Sequence, residues 1–261
     1  MRGQIARQVI KSAPMKARGW ILGATAMVVG AVAAGSAAQP GRARAAQVPA
    51  PSAEPVVVEL FTAQGCAGCP DANRAVEAVA AEPGVIALTY AVDYWDYLGW
   101  TDTFAKPEFA ARQRAYRAAL KLRALPTPQV ILDGARQAQA RPEPLQAAID
   151  AQAERRVFPP EIEFRDSGDA VGVGSGRAPP GGADVWAVTF VPGAQEVTVA
   201  RGDNRGQRVR HVNVVRKLTK LGEWRGRPVL FALPSGEAGN EAVAVLVQSR
   251  ADRRILNAAV G

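Results

Sequence analysis

Two cysteines separated by two residues are the side chains of this sequence best suited to chemistry. Cys66 and Cys69 are the only cysteines among the 261 residues, and they lie in the sequence Cys-Ala-Gly-Cys. The apolar run at 55–61 predicts a buried strand, and the segment 70–81 predicts a helix. A thiol at a helix N-terminus is stabilised as the thiolate by the helix dipole and free backbone N–H groups. Because the thiolate attacks disulfides, the pattern predicts a dithiol/disulfide redox site.

Two other interpretations of the cysteine pair stay open. The pair could form a purely structural disulfide, or it could bind a metal. A structural zinc site needs two further ligands, but the chain has no second cysteine pair, and His211 is its only histidine. We therefore predict neither a metal site nor a cofactor, and we keep a thiol-based metal carrier as an alternative function.

The first 45 residues have the pattern of an export signal. Five basic residues and no acidic residue occur in 1–18, an apolar run rich in Ala, Gly and Val follows at 20–38, and 43–45 (Ala-Arg-Ala) is a small-x-small cleavage site. The alternative is an uncleaved membrane anchor, since the apolar run is nearly long enough to span a bilayer. We predict cleavage, and a periplasmic or secreted protein in a compartment where a disulfide persists.

The strongly basic composition comes mainly from this signal. The whole chain has 32 basic and 24 acidic residues, a net charge of +8. Residues 1–45 contain seven of the basic residues and none of the acidic ones, so 25 basic and 24 acidic residues remain after cleavage. The charge therefore gives no support to nucleic-acid binding. The predicted partners are protein or small-molecule thiols and disulfides, with membrane contact only through an uncleaved signal.

The remaining chain divides into two predicted domains after a Pro/Ala-rich linker at 46–54. Strands and helices alternate over 55–156, which is typical of parallel βαβ units, and Asp133-Gly134 predicts a hairpin that follows them. Short strand-like runs separated by Gly, Pro, Asp and Asn fill 157–261 and predict a smaller antiparallel β domain, sandwich-like in form. Within it, 203–206 (Asp-Asn-Arg-Gly) predicts a turn, and 212–221 fits a helix as well as a strand.

The order of elements in 55–156 resembles the thioredoxin fold. In that fold a Cys-x-x-Cys follows the first strand, and a cis-proline before the third strand lies opposite it; Thr127-Pro128 matches that position. The resemblance implies that Cys66 is the exposed nucleophile and Cys69 the buried resolving thiol. Thioredoxins also place a buried acid on the first strand to relay a proton to the second cysteine, and Glu59 matches it at a slightly different spacing. The alternative for Glu59 is pairing with a basic residue or a backbone group.

A closer resemblance runs through most of the chain after residue 45. An exported, thioredoxin-like bacterial family, the domain-of-unknown-function family 1223, has motifs similar to 57–66 (VVELFTAQGC), 92–100 (VDYWDYLGW), 127–129 (TPQ), 213–216 (NVVR) and 221–224 (LGEW). Members often have a histidine where this chain has Ala91, so any role of that histidine is absent here or moved.

An aromatic segment is the second candidate for function. The predicted loop 93–106 contains four of the nine Trp and Tyr residues of the chain. It follows the second predicted strand, so it emerges at the same sheet edge as the cysteines, where ligands of open α/β sheets bind. We interpret Tyr94, Trp95 and Trp100, together with Thr127, as a substrate-binding platform. The alternative is that the rings cover the core.

The sequence thus predicts an exported thiol–disulfide oxidoreductase-like protein, with an α/β thioredoxin-like domain followed by a smaller antiparallel β domain. A non-catalytic thioredoxin-fold binding module with a structural disulfide is the alternative from another class. The sequence leaves open whether the protein is an enzyme.

Overall fold

The computed structural model describes residues 54–154, 159–234 and 239–261. The predicted signal at 1–45, the linker apart from Glu54, and the predicted domain boundary at 156–157 lie outside these residues. Within the three ranges, no helix is long and apolar enough to cross a membrane.

The first half of the described chain alternates strands and helices as predicted. Its elements are β1 (Val56–Thr62), α1 (Cys69–Val79), β2 (Val85–Ala91), α2 (Pro107–Ala119), β3 (Gln129–Leu132), β4 (Arg136–Ala138) and α3 (Pro142–Ala153), with a short 3₁₀ turn at Asp96–Leu98. Each α-helix has a proline in its first turn. Proline suits that position because its missing N–H would have no partner inside the helix.

The second half of the described chain is built of strands. They are β5 (Ile162–Phe164), β6 (Ala170–Val173), β7 (Ala183–Thr198), β8 (Arg208–Trp224), β9 (Val229–Ala232), β10 (Ala242–Ser249) and β11 (Ile255–Val260). β7 joins two predicted strand runs across a register shift at Val191/Ala194. The helical alternative for 212–221 is wrong, because this segment is the middle of β8.

One large mixed sheet contains eight of these strands in the order β11-β10-β7-β8-β2-β1-β3-β4. β1 is parallel to β2 and antiparallel to β3. The second half continues the sheet of the first through β8, whose backbone pairs with β2 at Val214 and Thr89. Side chains reinforce it: the Asn213 amide donates to the Ala87 carbonyl at 3.0 Å, and the Thr89 hydroxyl donates to the Val212 carbonyl.

The separate sandwich-like arrangement predicted for the second half differs from this sheet. Four of its strands extend the sheet of β1–β4, and only β5, β6 and β9 form a second, three-stranded antiparallel sheet. The fold is therefore mixed α/β, with a large mixed sheet and a smaller antiparallel one. Alternating apolar residues specify which face of a strand is buried but not which strand lies beside it, so the pattern could not predict the addition of β8 to β2.

Both faces of β1 are buried, which explains why its sequence is an almost continuous apolar run. Val58 and Leu60 pack against α1 and α3, whereas Val57 and Phe61 face α2 and the inner residues of β7, β10 and β11. A third apolar cluster lies between β7, β10 and the three-stranded sheet. Residues 63–68 follow directly on β1, which is packed on both faces.

Candidate functional site

The turn between β1 and α1 places the two cysteines side by side. Cys66 and Cys69 form a disulfide, and Cys69 is the first residue of α1. The Cys69 N–H donates to the Cys66 carbonyl at 3.1 Å, which closes the turn at the helix N-terminus. Both cysteines are buried, at 1% and 0% exposure, while Ala67 and Gly68 between them are exposed. We call residues 64–69 the cysteine turn.

Thr127 and Pro128 lie directly against the cysteine turn. The Thr127–Pro128 peptide bond is cis, as predicted. The Thr127 carbonyl oxygen lies 3.7 Å from the Cys66 sulfur. A Cβ added to Gly68 would lie 3.6 Å from the Pro128 Cδ, which is ordinary van der Waals contact. The segment before β3 therefore meets the cysteine turn as the sequence predicted.

The aromatic loop, residues 93–106, is attached to the same turn through Gln64. The buried Gln64 side chain accepts a hydrogen bond from the Trp100 indole N–H and donates one to the Thr103 hydroxyl, both at 2.8 Å. Its backbone N–H donates to a carboxylate oxygen of Asp102 at 2.6 Å. Burial raises the pKa of Asp102, and the hydrogen bonds from the Gln64 and Phe104 N–H groups offset only part of this rise. Sequence reasoning missed both Gln64 and Asp102.

The predicted aromatic platform is partly brought together. The Tyr94 hydroxyl hydrogen-bonds to the Thr127 hydroxyl and donates to the Gln113 amide oxygen at 2.8 Å. Burial raises the Tyr94 pKa. Trp95 is half-buried and packs on the core cluster that contains both cysteines. Tyr97 is 78% exposed, and its ring stacks on Trp95 with centroids 6.4 Å apart. No sequence pattern predicted that Tyr97 is the exposed ring of this loop.

A segment distant in sequence covers the cysteine turn from the other side. Residues 199–207, which we call the hairpin tip, connect β7 to β8. Asn204 donates from its side-chain amide to the Gln64 carbonyl at 2.8 Å and to the Cys66 carbonyl at 2.7 Å. Cys66, expected to be exposed, is buried, and the hairpin tip binds the backbone that leads into it. The only sequence signal was the predicted turn at 203–206, which does not reveal what the turn contacts.

Glu59 forms a buried ion pair with Arg112. Its carboxylate lies 2.7 Å from the Arg112 Nε and accepts a hydrogen bond from the Tyr116 hydroxyl. Gln248 on β10 completes the cluster by donating to the Tyr116 hydroxyl at 2.8 Å. This is the pairing with a basic residue that the sequence left as the alternative to a proton relay.

No three His, Cys, Asp or Glu side chains converge as a metal site in the ranges that the structure describes. His211 lies on β8, buried, with its ring edge-on to Phe104 at a centroid distance of 5.4 Å. Burial lowers the pKa of His211 to about 4.

Comparison with protein families gives a match over most of the chain. The profile described as "Protein of unknown function (DUF1223)" matches residues 57–248. The chain belongs to the DUF1223 family. The matched range contains the cysteine turn, the aromatic loop and the hairpin tip, so this DUF1223 site lies wholly within the family region.

Two solved structures are similar to this DUF1223 chain. The crystal structure of an Agrobacterium tumefaciens protein is 30% identical with a TM-score of 0.63, and the alignment covers 78% of this chain and 92% of that one. HBP35 of Porphyromonas gingivalis is 14% identical with a TM-score of 0.55, over 80% of this chain and 74% of that one, a likeness of fold alone. No curated protein matches the chain.

Proposed function

We propose that this DUF1223 chain is an exported, thioredoxin-like thiol–disulfide oxidoreductase that works through Cys66 and Cys69. The observation that carries the proposal is the position of the disulfide at the N-terminus of α1, with the Thr127 carbonyl 3.7 Å from the Cys66 sulfur. The cysteine pair between β1 and α1 and the cis Thr127–Pro128 bond before β3 support the thioredoxin-like assignment, because the resemblance implies both features. The basic and apolar N-terminal sequence supports a periplasmic or secreted location.

The chemistry is an exchange of disulfides in two steps. The Cys66 thiolate attacks one sulfur of a substrate disulfide, the substrate S–S bond breaks, and the second substrate sulfur leaves as a thiolate. The Cys69 thiolate then attacks the Cys66 sulfur of the mixed disulfide and releases the first substrate sulfur. Two electrons pass from the cysteine pair to the substrate, and its two thiolates take up the two protons that the cysteines lost. The reverse sequence oxidises a substrate dithiol, starting from the disulfide form.

Single-cysteine variants test this proposal. We expect the purified chain to accelerate the reduction of insulin by dithiothreitol, Cys66→Ser to abolish the acceleration, and Cys69→Ser to accumulate a mixed disulfide with the substrate. In the reduced protein at neutral pH, iodoacetamide should label Cys66 before Cys69, as mass mapping would report. A rate equal to that of dithiothreitol alone, or labelling of Cys69 first, would contradict the assigned roles.

Burial of both sulfurs favours a second candidate, a binding module whose disulfide is structural. In that case the wild-type chain exchanges no disulfide, and Cys66→Ser and Cys69→Ser act alike. Each would lower the free energy of unfolding by about 2 kcal/mol, the loss expected for a disulfide that closes so short a loop. Measuring both exchange and unfolding for the same three proteins separates the two functions.

Tyr97 and Trp95 distinguish substrate recognition from core packing within the aromatic loop. Tyr97 is exposed and adds little to the core, so we expect Tyr97→Ala to keep the thermal stability of the wild type. Exchange with a protein substrate should slow about tenfold, the loss typical of an aromatic anchor, while exchange with oxidised glutathione stays unchanged. Trp95→Ala should instead lower the unfolding free energy by about 2 kcal/mol, because Trp95 packs on the core cluster. Equal slowing by Tyr97→Ala with both substrates would contradict recognition by this ring.

A further inference from the structure

The hairpin tip is a compact unit held together by its own hydrogen bonds. The Val199 N–H donates to the Gln207 carbonyl at 3.0 Å, and the Gly206 N–H donates to the Val199 carbonyl at 2.8 Å. The Gln207 N–H donates to the Asn204 carbonyl at 2.9 Å. These bonds do not involve the cysteine turn, so the tip can keep its shape whether or not it contacts that turn.

A small set of polar contacts attaches the tip to the backbone that leads into Cys66. Asn204, only 2% exposed, directs both of its described amide hydrogen bonds to this segment, at the carbonyls of Gln64 and Cys66. The Asp203 N–H adds a longer bond to the Gly65 carbonyl at 3.3 Å. The tip is therefore held to the cysteine turn mainly by one side chain.

The fit of the tip requires glycine at one position. Gly202 has φ +84° and packs on Gly65, where an added Cβ would come within 3.2 Å of the Gly65 Cα. On the other side of the tip, the Arg201 side chain lies 3.7 Å from a Cβ placed on Gly99 of the aromatic loop. The tip thus spans the cysteine turn and the aromatic loop, the two parts of the proposed redox site.

We infer that the hairpin tip is a latch on the cysteine turn that keeps the Cys66–Cys69 disulfide buried, and that Asn204 is the positioning residue that holds the latch closed. In the closed form both cysteines are buried, and Asn204 binds the backbone carbonyls of Gln64 and Cys66. Opening of these two bonds frees the cysteine turn to move, and this movement exposes the Cys66 sulfur to an attacking thiolate. The inference rests on the proposed function, since it regulates access to that same disulfide. A protein partner that binds the aromatic loop must therefore displace the hairpin tip.

Reduction kinetics of the oxidised chain test the latch without any protein substrate. Dithiothreitol donates two electrons to the disulfide and becomes a cyclic disulfide, while Cys66 and Cys69 each take up a proton. Alkylation and mass spectrometry measure the rate in native buffer. We expect Asn204→Ala to be reduced about tenfold faster than the wild type, since it loses two buried hydrogen bonds. Arg201→Ala, at an exposed position, should stay within about twofold of the wild-type rate, because Asn204 still holds the tip to the cysteine turn.

Asn257→Ala is the matched control. Asn257 is also a buried asparagine whose amide donates to a backbone carbonyl, that of Pro160 at 2.9 Å, but it lies on β11. Its reduction rate should stay within about twofold of the wild type. Equal acceleration by Asn204→Ala and Asn257→Ala means that reduction follows global unfolding, and it overturns the latch. A wild-type rate in Asn204→Ala overturns it as well.

The latch and the proposed function fail in different experiments. If the chain does not exchange disulfides with insulin, yet Asn204→Ala accelerates reduction by dithiothreitol, the proposed function is wrong and the latch stands. If insulin exchange proceeds and Asn204→Ala is reduced at the wild-type rate, the latch is wrong and the proposed function stands.

Discussion

Replacing Arg112 with methionine should lower the free energy of unfolding by about 3–5 kcal/mol, because it leaves the Glu59 carboxylate buried without its cation. The side chains of Glu59 and Arg112 are 0% and 5% exposed. Burial alone would lower the pKa of Arg112. The Glu59 carboxylate and the neighbouring tyrosines more than offset this effect and raise the pKa above its ordinary value, so the guanidinium stays charged. Urea unfolding at neutral pH measures the loss.

Two further variants define what that result means. Arg254→Met breaks the exposed pair between Arg254 and Asp252, and we expect it to cost no more than about 1 kcal/mol. The double variant Glu59→Leu/Arg112→Met removes both charges and should be more stable than Arg112→Met alone, since a buried pair can often be replaced by apolar groups. A loss below about 1 kcal/mol for Arg112→Met would contradict a buried, uncompensated carboxylate.

The second large effect is a dependence of stability on pH caused by His211. Its ordinary pKa of 6.5 falls to about 4 in the folded protein because the ring is buried, and a weak backbone contact with Val209 offsets this only in part. Neither ring nitrogen has a well-formed hydrogen bond. Above pH 6.5 the imidazole is neutral in both states. As the pH falls towards 4 the unfolded chain binds a proton that the folded chain does not, so stability is lost across this window.

His211→Leu should remove this part of the pH dependence. Between pH 7 and pH 4.5 the stability of the wild type relative to His211→Leu should fall by about 2 kcal/mol, the value that the shift in pKa implies. Urea unfolding of both proteins at the two pH values measures this difference. Phe104→Leu is the control, because it removes the ring beside His211 but keeps the titrating group, so it should still lose stability as the pH falls, unlike His211→Leu. Parallel pH profiles for wild type and His211→Leu would contradict the assignment.

Local sequence patterns predicted the elements of this fold well but not their assembly. Gly, Pro and Asp punctuate the chain, and the apolar run of β1 marks a strand buried on both faces, so the strands and helices could be placed. β2 pairs with β8 at Thr89 and Val214, and no local sequence pattern near either residue indicates that the two strands are neighbours. The prediction of a separate sandwich-like domain failed for that reason.

The candidate site divides in the same way. Cys66, Cys69, Thr127 and Pro128 follow a local order of elements, and the structure brings them together. Asn204 lies 138 residues from Cys66 and contacts it only because β7 and β8 form a long hairpin that returns to the cysteine turn. The exposure of Tyr97 and the pairing of Glu59 with Arg112 likewise depend on packing between distant elements.

The pairing of β2 with β8 has a consequence for folding during synthesis of the chain. β1, α1 and β2 leave the ribosome early. β2 gains its second neighbouring strand, β8, only after Val214, which pairs with Thr89, has been synthesised. Throughout that interval the outer edge of β2 offers unpaired backbone groups to any other nascent chain. The cluster of Glu59 and Tyr116 is likewise completed only after Gln248 has been synthesised. The β2 edge is therefore open to intermolecular pairing until β8 has been synthesised.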